Sequence, residues 1–141
     1  MDTTKKMTLW DQISIGNPEI DHDHKELFEI YNDLVDLIEF KKNRDNFAGI
    51  LTKMTNYSLM HFKKEERYMK NLSFPKLNEH IKHHQKYIYN VAMYNAELLG
   101  INPPDPEEII TFLKNWWINH ILKIDIQYEQ FKKENAINSD Y

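Results

Sequence analysis

Apolar residues recur at helical spacing through most of the chain, in four blocks separated by breakers. In the first block Ile20, His24, Leu27, Phe28, Tyr31, Leu34, Val35 and Ile38 fall on one helical face. Asn17-Pro18-Glu19 opens it with a capping side chain, a proline in the first turn and an acid near the positive end of the dipole. Lys41-Lys42-Asn43 suits its C-terminus. The second block runs from about Asn43 to Leu72, with Phe47, Ile50, Leu51, Met54, Tyr57, His61, Glu65, Tyr68 and Leu72 in its stripe. Ser73-Phe74-Pro75 breaks it. The third carries Leu77, His80, Ile81, His84, Tyr87, Ile88, Val91, Tyr94 and Leu98, and Gly100 closes it. Asp105-Pro106 starts the fourth, whose stripe is Ile110, Leu113, Trp117, His120, Ile124, Tyr128 and Phe131.

Helices of this spacing are about 20–28 residues, or about 30–40 Å, long. Short connections and one-sided stripes predict an all-α, up-down-up-down four-helix bundle over residues 18–133. Residues 1–17 lack sustained periodicity and form an N-terminal arm; residues 134–141 form a frayed C-terminus.

Composition narrows the chemistry. The 141 residues fit one domain. Eighteen Lys and Arg against 22 Asp and Glu give a formal charge of −4, the wrong sign for a nucleic-acid footprint. No Cys is present, so thiol catalysis, iron–sulfur clusters and disulfides are excluded. No apolar run reaches the length of about 20 residues that a membrane helix needs. The first ten residues lack the apolar core of a signal peptide, so a cytoplasmic location is expected.

The apolar stripes are interrupted by polar groups. His24 lies in the first, His61 and Glu65 four apart in the second, His80 and His84 four apart in the third, and His120 and Asp125 in the fourth. A separation of four returns to nearly the same face. One inward His is commonly a hydrogen-bonded core residue. Five imidazoles and two carboxylates inside four apolar faces are costly to bury without a shared partner, and a cation supplies one. Seven ligands suit two metal ions better than one, since a tetrahedral zinc site uses four. Imidazole plus carboxylate without thiolate suits iron among the redox metals and leaves zinc and copper open. His22 and His83 are rotated off these faces and are excluded. The Lys63-Lys64 and Lys132-Lys133 pairs, with Lys41-Lys42, read as solvated helix surface or C-terminal dipole partners, and the stripe Tyr and Met residues as core.

The segments Ile20-Asp21-His22-Asp23-His24-Lys25-Glu26-Leu27, His61-Phe62-Lys63-Lys64-Glu65, His80-Ile81-Lys82-His83-His84 and Trp116-Trp117-Ile118-Asn119-His120 through Asp125 resemble the hemerythrin family, over about residues 10–131. The resemblance implies that His80, His84 and His120 hold one iron and that His24 and His61 hold the other. Glu65 and Asp125 would bridge the two together with an oxo or hydroxo group. The iron on His24 and His61 would keep an open position for dioxygen. Asp125 fits least well: five residues from His120 is about 140° around an ideal helix, so its side chain reaches across or the helix deviates there. Two residues depart from the family pattern. Asp23 stands where bacterial members often have Gln. Trp117 stands where an aliphatic residue is common, and it would wall the dioxygen pocket.

The resemblance implies reversible dioxygen binding, for carriage, storage or delivery, by a protein that is not an enzyme. Sensing through a partner protein, or a di-iron enzyme handling peroxide or nitric oxide, are the alternatives. A ferritin-like oxidase wants two Glu-x-x-His motifs, and this chain has one, Glu19 to His22, at the start of a helix.

Overall fold

The structure is a computed structural model that describes residues 6–8, 10–38, 40 and 43–135. After a 3-10 turn at Trp10–Ile13 come α1 (Pro18–Asp36), α2 (Arg44–Asn71), α3 (Leu77–Leu98) and α4 (Pro106–Asn119). A π-helical segment at His120–Asp125 then leads without a break into α5 (Ile126–Glu134), so the fourth long helix is α4, the π segment and α5 together.

Local chemistry sets the helix ends. Asn17 Oδ1 accepts the Ile20 N–H at 3.2 Å, and Asp105 Oδ1 accepts the Glu107 N–H at 2.9 Å, each with proline next in the chain. The end of α2 is a Schellman motif: Phe74 N–H bonds Met69 O and Ser73 N–H bonds Lys70 O, both at 3.0 Å. Ser73 takes the left-handed conformation (φ 56°) that glycine normally supplies there. Arg44, in the first turn of α2, donates from Nε to Leu98 O at 2.6 Å and from its guanidinium to Gly100 O. It thereby caps α3 and fixes the two helices antiparallel. The first helix stops at Asp36, well before the expected Lys41-Lys42-Asn43; Lys41 and Lys42 lie outside the described residues.

α2 packs between α1 and α3, and α1 also packs on α4. Tyr87 against Trp116, with ring centroids 4.5 Å apart, and Tyr94 against Phe112 at 5.7 Å close the ring of four between α3 and α4. One half of the interior is apolar. Leu27, Phe28 and Leu34 of α1, Phe47, Leu51 and Met54 of α2, Val91 and Leu98 of α3, and Ile110 and Leu113 of α4 are all buried there. The polar stripe residues all lie toward the other end of the bundle.

The arm is part of the packing. Met7, Ile13 and Ile15 are buried in the same core. Asn32 holds the Met7 backbone from both sides, accepting its N–H at 2.7 Å and donating to its O at 2.8 Å. Asp21 accepts from Ile15 N–H at 2.9 Å and Ser14 Oγ at 2.6 Å. Residues 1–5 of the arm and 136–141 of the expected frayed end lie outside the described residues. No helix is long and apolar enough to cross a membrane among the described residues.

Candidate metal centre

All seven predicted residues converge in the polar half of the bundle, and all seven are buried. Their ligand atoms form two overlapping groups, each within 4.8 Å. Glu65, His80, His84, His120 and Asp125 make one; His24, His61, Glu65 and Asp125 make the other. Only the two carboxylates belong to both. His80 Nε2 and His120 Nε2 each lie 2.9 Å from Asp125 Oδ1, and His84 Nε2 is 3.0 Å from Glu65 Oε1. On the other side His24 Nε2 is 3.2 Å from Asp125 Oδ2, and His61 Nε2 is 3.6 Å from Glu65 Oε2.

Asp125 reaches this position because the helix changes winding. In a π segment the backbone bonds run from i to i+5, so a residue five further on stacks over the first. The segment spans His120 to Asp125, and it turns Ile121 into the core while Ile124 remains partly exposed. Ile124, expected in the apolar stripe, is displaced by the same shift.

The seven residues fit a pair of cations. His24 Nε2, His61 Nε2, His84 Nε2, Glu65 Oε1 and both Asp125 oxygens are buried without a hydrogen-bond partner, although their nitrogen–oxygen distances are short. Left alone, such a set would be costly. In the metal-free chain protons answer the two carboxylates. Burial opposes a charge on His61, but Glu65 beside it and its bond to Asp23 outweigh that and lift it to about 10. Burial is likewise outweighed at His80 by Asp125 and Glu65, which lift it to about 9. Burial favours the neutral acid at Glu65, yet His61 and its neighbours hold it well below the usual carboxylate range.

Further residues support the imidazoles. Asp23 Oδ2 lies 3.1 Å from His61 Nδ1, and Glu66 Oε2 lies 2.8 Å from His84 Nδ1. A carboxylate can only accept there, so each ring is turned with its other nitrogen inward. Lys64 Nζ pairs with Asp23 at 3.1 Å and with Glu19 at 2.9 Å. Lys64 is therefore a tie between α1 and α2 and not simply solvated surface. Tyr128, expected as plain core, donates to Glu65 Oε2 at 2.8 Å. The sequence signal for these was thin: Asp23 departs from the family pattern, and Glu66 follows a ligand.

Trp117 is fully buried, 6.3 Å from the His24 ring and 6.1 Å from the His61 ring, and stacks on Phe62 at 5.4 Å. Its ring also stands edge-on to Tyr87, with centroids 5.2 Å apart. Trp116 is half-buried and stacks on His120 at 4.4 Å. His22 is exposed and pairs with Glu26 at 3.0 Å; His83 is exposed beside the site, with its ring 5.9 Å from that of His120.

Known proteins resemble this chain in sequence and fold. The hemerythrin HHE cation binding domain matches residues 16–130. A bacteriohemerythrin of Clostridium acetobutylicum is 30% identical over 127 residues, which cover 86% of this chain and 98% of that protein. A myohemerythrin of Riftia pachyptila is 27% identical over 122 residues, covering 86% and 90%. A crystal structure of wild-type hemerythrin superposes with a TM-score of 0.73 at 28% identity, covering 79% of this chain and 85% of that one. With the domain match spanning the bundle from before α1 into α5, the chain belongs to the hemerythrin family.

Proposed function

We propose that this protein binds dioxygen reversibly at a di-iron centre, in carriage, storage or delivery. Family and fold support a non-haem di-iron oxygen-binding protein, and hemerythrins are oxygen-binding carriers, not enzymes. The observation that carries the finer reading is the inequality of the two ligand groups. Three imidazoles and two carboxylates converge on one side, and two imidazoles with the same two carboxylates on the other. In this reading His80, His84 and His120 would hold one iron and His24 and His61 the other, with Glu65 and Asp125 shared between the two. When bound there, an iron pair would supply the redox chemistry of dioxygen binding.

The chain's own residues do the rest. The two-imidazole side has one protein ligand fewer, and Trp117 stands against it. Trp117 is backed by the buried rings of Phe62 and Tyr87, and this apolar packing excludes water, which slows oxidation of such a site. Asp23 and Glu66 fix the orientation of His61 and His84.

The test is an optical spectrum of the reduced protein, taken before dioxygen, under dioxygen and after its removal. Reversible binding restores the first spectrum over repeated cycles. Consumption of dioxygen with no return to the starting spectrum contradicts it.

A further inference from the structure

Three fully buried residues with polar groups form a layer between the metal centre and the apolar half of the bundle. Each stands three residues from a predicted ligand: Ser58 before His61, Tyr87 after His84 and Trp117 before His120. Ser58 Oγ donates to Met54 O, one turn back in α2, at 2.8 Å. That commits its only proton, so at 3.1 Å it accepts from the Tyr87 hydroxyl. Burial pushes Tyr87 up to about 12, so the hydroxyl keeps its proton and donates it. The Tyr87 oxygen is left to accept. The Trp117 indole N–H faces it, with the two rings edge-on at 5.2 Å.

The three residues thus form a chain with one direction: Trp117 N–H to Tyr87, Tyr87 to Ser58, Ser58 to Met54 O. Packing alone does not ask for it. Phenylalanine and leucine fill such positions without a buried donor that needs an acceptor. What the chain does is fix where one donor points. The Trp117 ring lies against His24 and His61, in the group with one protein ligand fewer, and its N–H is the polar atom it could offer there. With that N–H turned to Tyr87, Trp117 presents hydrocarbon to the His24–His61 side.

We propose that Tyr87, held by Ser58, is a positioning residue that sets the selectivity of the dioxygen pocket against small anions. The proposal rests on the di-iron, dioxygen-binding reading of the site. A neutral diatomic ligand loses little in a pocket where Trp117 offers no donor. An anion such as azide would gain a charge-assisted hydrogen bond from a free indole N–H, and the chain withholds it. Selectivity is a difference of affinities, and here it comes from a donor kept out of reach. Without the Tyr87 oxygen the indole N–H is a buried donor with no acceptor, and turning toward an anion on the His24–His61 side satisfies it.

The test is azide and dioxygen binding to the iron-loaded full chain, with iron per chain and circular dichroism measured on every sample. Tyr87→Phe keeps the ring and removes the oxygen. It should bind azide about tenfold more tightly, the worth of one hydrogen bond to a charged group, with dioxygen affinity within about twofold of wild type. Val91→Ala opens a cavity one turn further along α3 and leaves the chain intact, so it should bind both as wild type does. Ultraviolet resonance Raman of wild type, with the Trp117→Leu spectrum subtracted, reads the Trp117 N–H directly. That N–H should be hydrogen-bonded and unmoved when azide is added, whereas in Tyr87→Phe it should shift with azide. Unchanged azide affinity in Tyr87→Phe, the same gain in Val91→Ala, or a wild-type indole band that shifts with azide overturns the proposal and leaves the di-iron reading standing. Where Tyr87→Phe fails to hold two irons, the wild-type Raman spectrum decides alone. Fewer than two irons per chain in wild type overturns that reading, and the proposal with it.

Discussion

Asp125 lies five residues beyond His120, yet its Oδ1 is 2.9 Å from His120 Nε2, because the helix between them is wound as π. The same oxygen is 2.9 Å from His80, and its partner oxygen is 3.2 Å from His24. One local change of winding thus places a carboxylate between both groups of imidazoles. Removing that carboxylate should cost both irons, whereas removing one imidazole should cost chiefly the iron it holds. Asp125→Ala should therefore purify with little iron, and His61→Ala with about one iron per chain and no dioxygen binding. His22→Ala should resemble wild type in both. Metal analysis of the three variants checks this; equal loss in all three contradicts the assignment.

Asp23 and Glu66 hold the outer nitrogens of His61 and His84. Such partners are commonly worth about 10–100-fold in metal affinity. Asp23→Ala should weaken the iron on His61 by about that factor and leave the other iron in place. Competition with a chelator, followed by the loss of each iron in turn, measures it.

Trp117 buries its whole ring against His24 and His61. Trp117→Leu should open space there at a stability cost of about 1–4 kcal/mol, depending on how far the site collapses. Iron content should stay at the wild-type level, while azide binding and spontaneous oxidation of the oxygenated protein become faster. Trp116→Leu, which alters a ring stacked on His120 at the other group, should leave those rates near wild type. Stopped-flow measurements of both variants decide between a pocket wall and plain core.

Iron removal should lower the melting temperature, since binding to the folded state stabilises it. It should also leave a pH dependence that the loaded protein lacks. In the metal-free chain His61 and His80 are raised to about 10 and about 9. A raised value means the folded state binds the proton more tightly than the unfolded one. That stabilisation is full below the ordinary histidine value of about 6.5 and is lost as pH rises through about 9 and 10. Melting curves of chelator-treated protein should therefore fall across that window. A flat profile would show that these imidazoles are neutral.

Ser73 occupies the left-handed position of the α2 Schellman motif at φ 56°. That conformation costs an L-residue about 1–2 kcal/mol, and glycine escapes most of the cost. Ser73→Gly should raise the melting temperature by a few degrees, and Ser73→Val should lower it. Thermal unfolding monitored by circular dichroism checks both.

The four stripes, the Asn17 and Asp105 caps and the His faces were legible because each obeys a local rule of spacing or capping. Asp125 was legible only as a misfit: periodicity assumes uniform winding, and a π segment leaves no mark except a residue that lands on the wrong face. The early end of α1 was masked by Lys41-Lys42-Asn43, which has the composition of a helix end without being one. The arm carries no periodicity, so the burial of Met7, Ile13 and Ile15 depends on α1 residues such as Asn32 and Asp21 that no local pattern links to them. Tyr128 matches the stripe, where periodicity indicates only packing; its bond to Glu65 joins residues 63 positions apart.

Everything rests on two cations sharing Glu65 and Asp125, so the most direct measurement is the metal content of the purified chain. Protein expressed in iron-replete medium should contain about two irons per chain, as the ligand set requires. One tightly bound zinc with no iron would contradict the account.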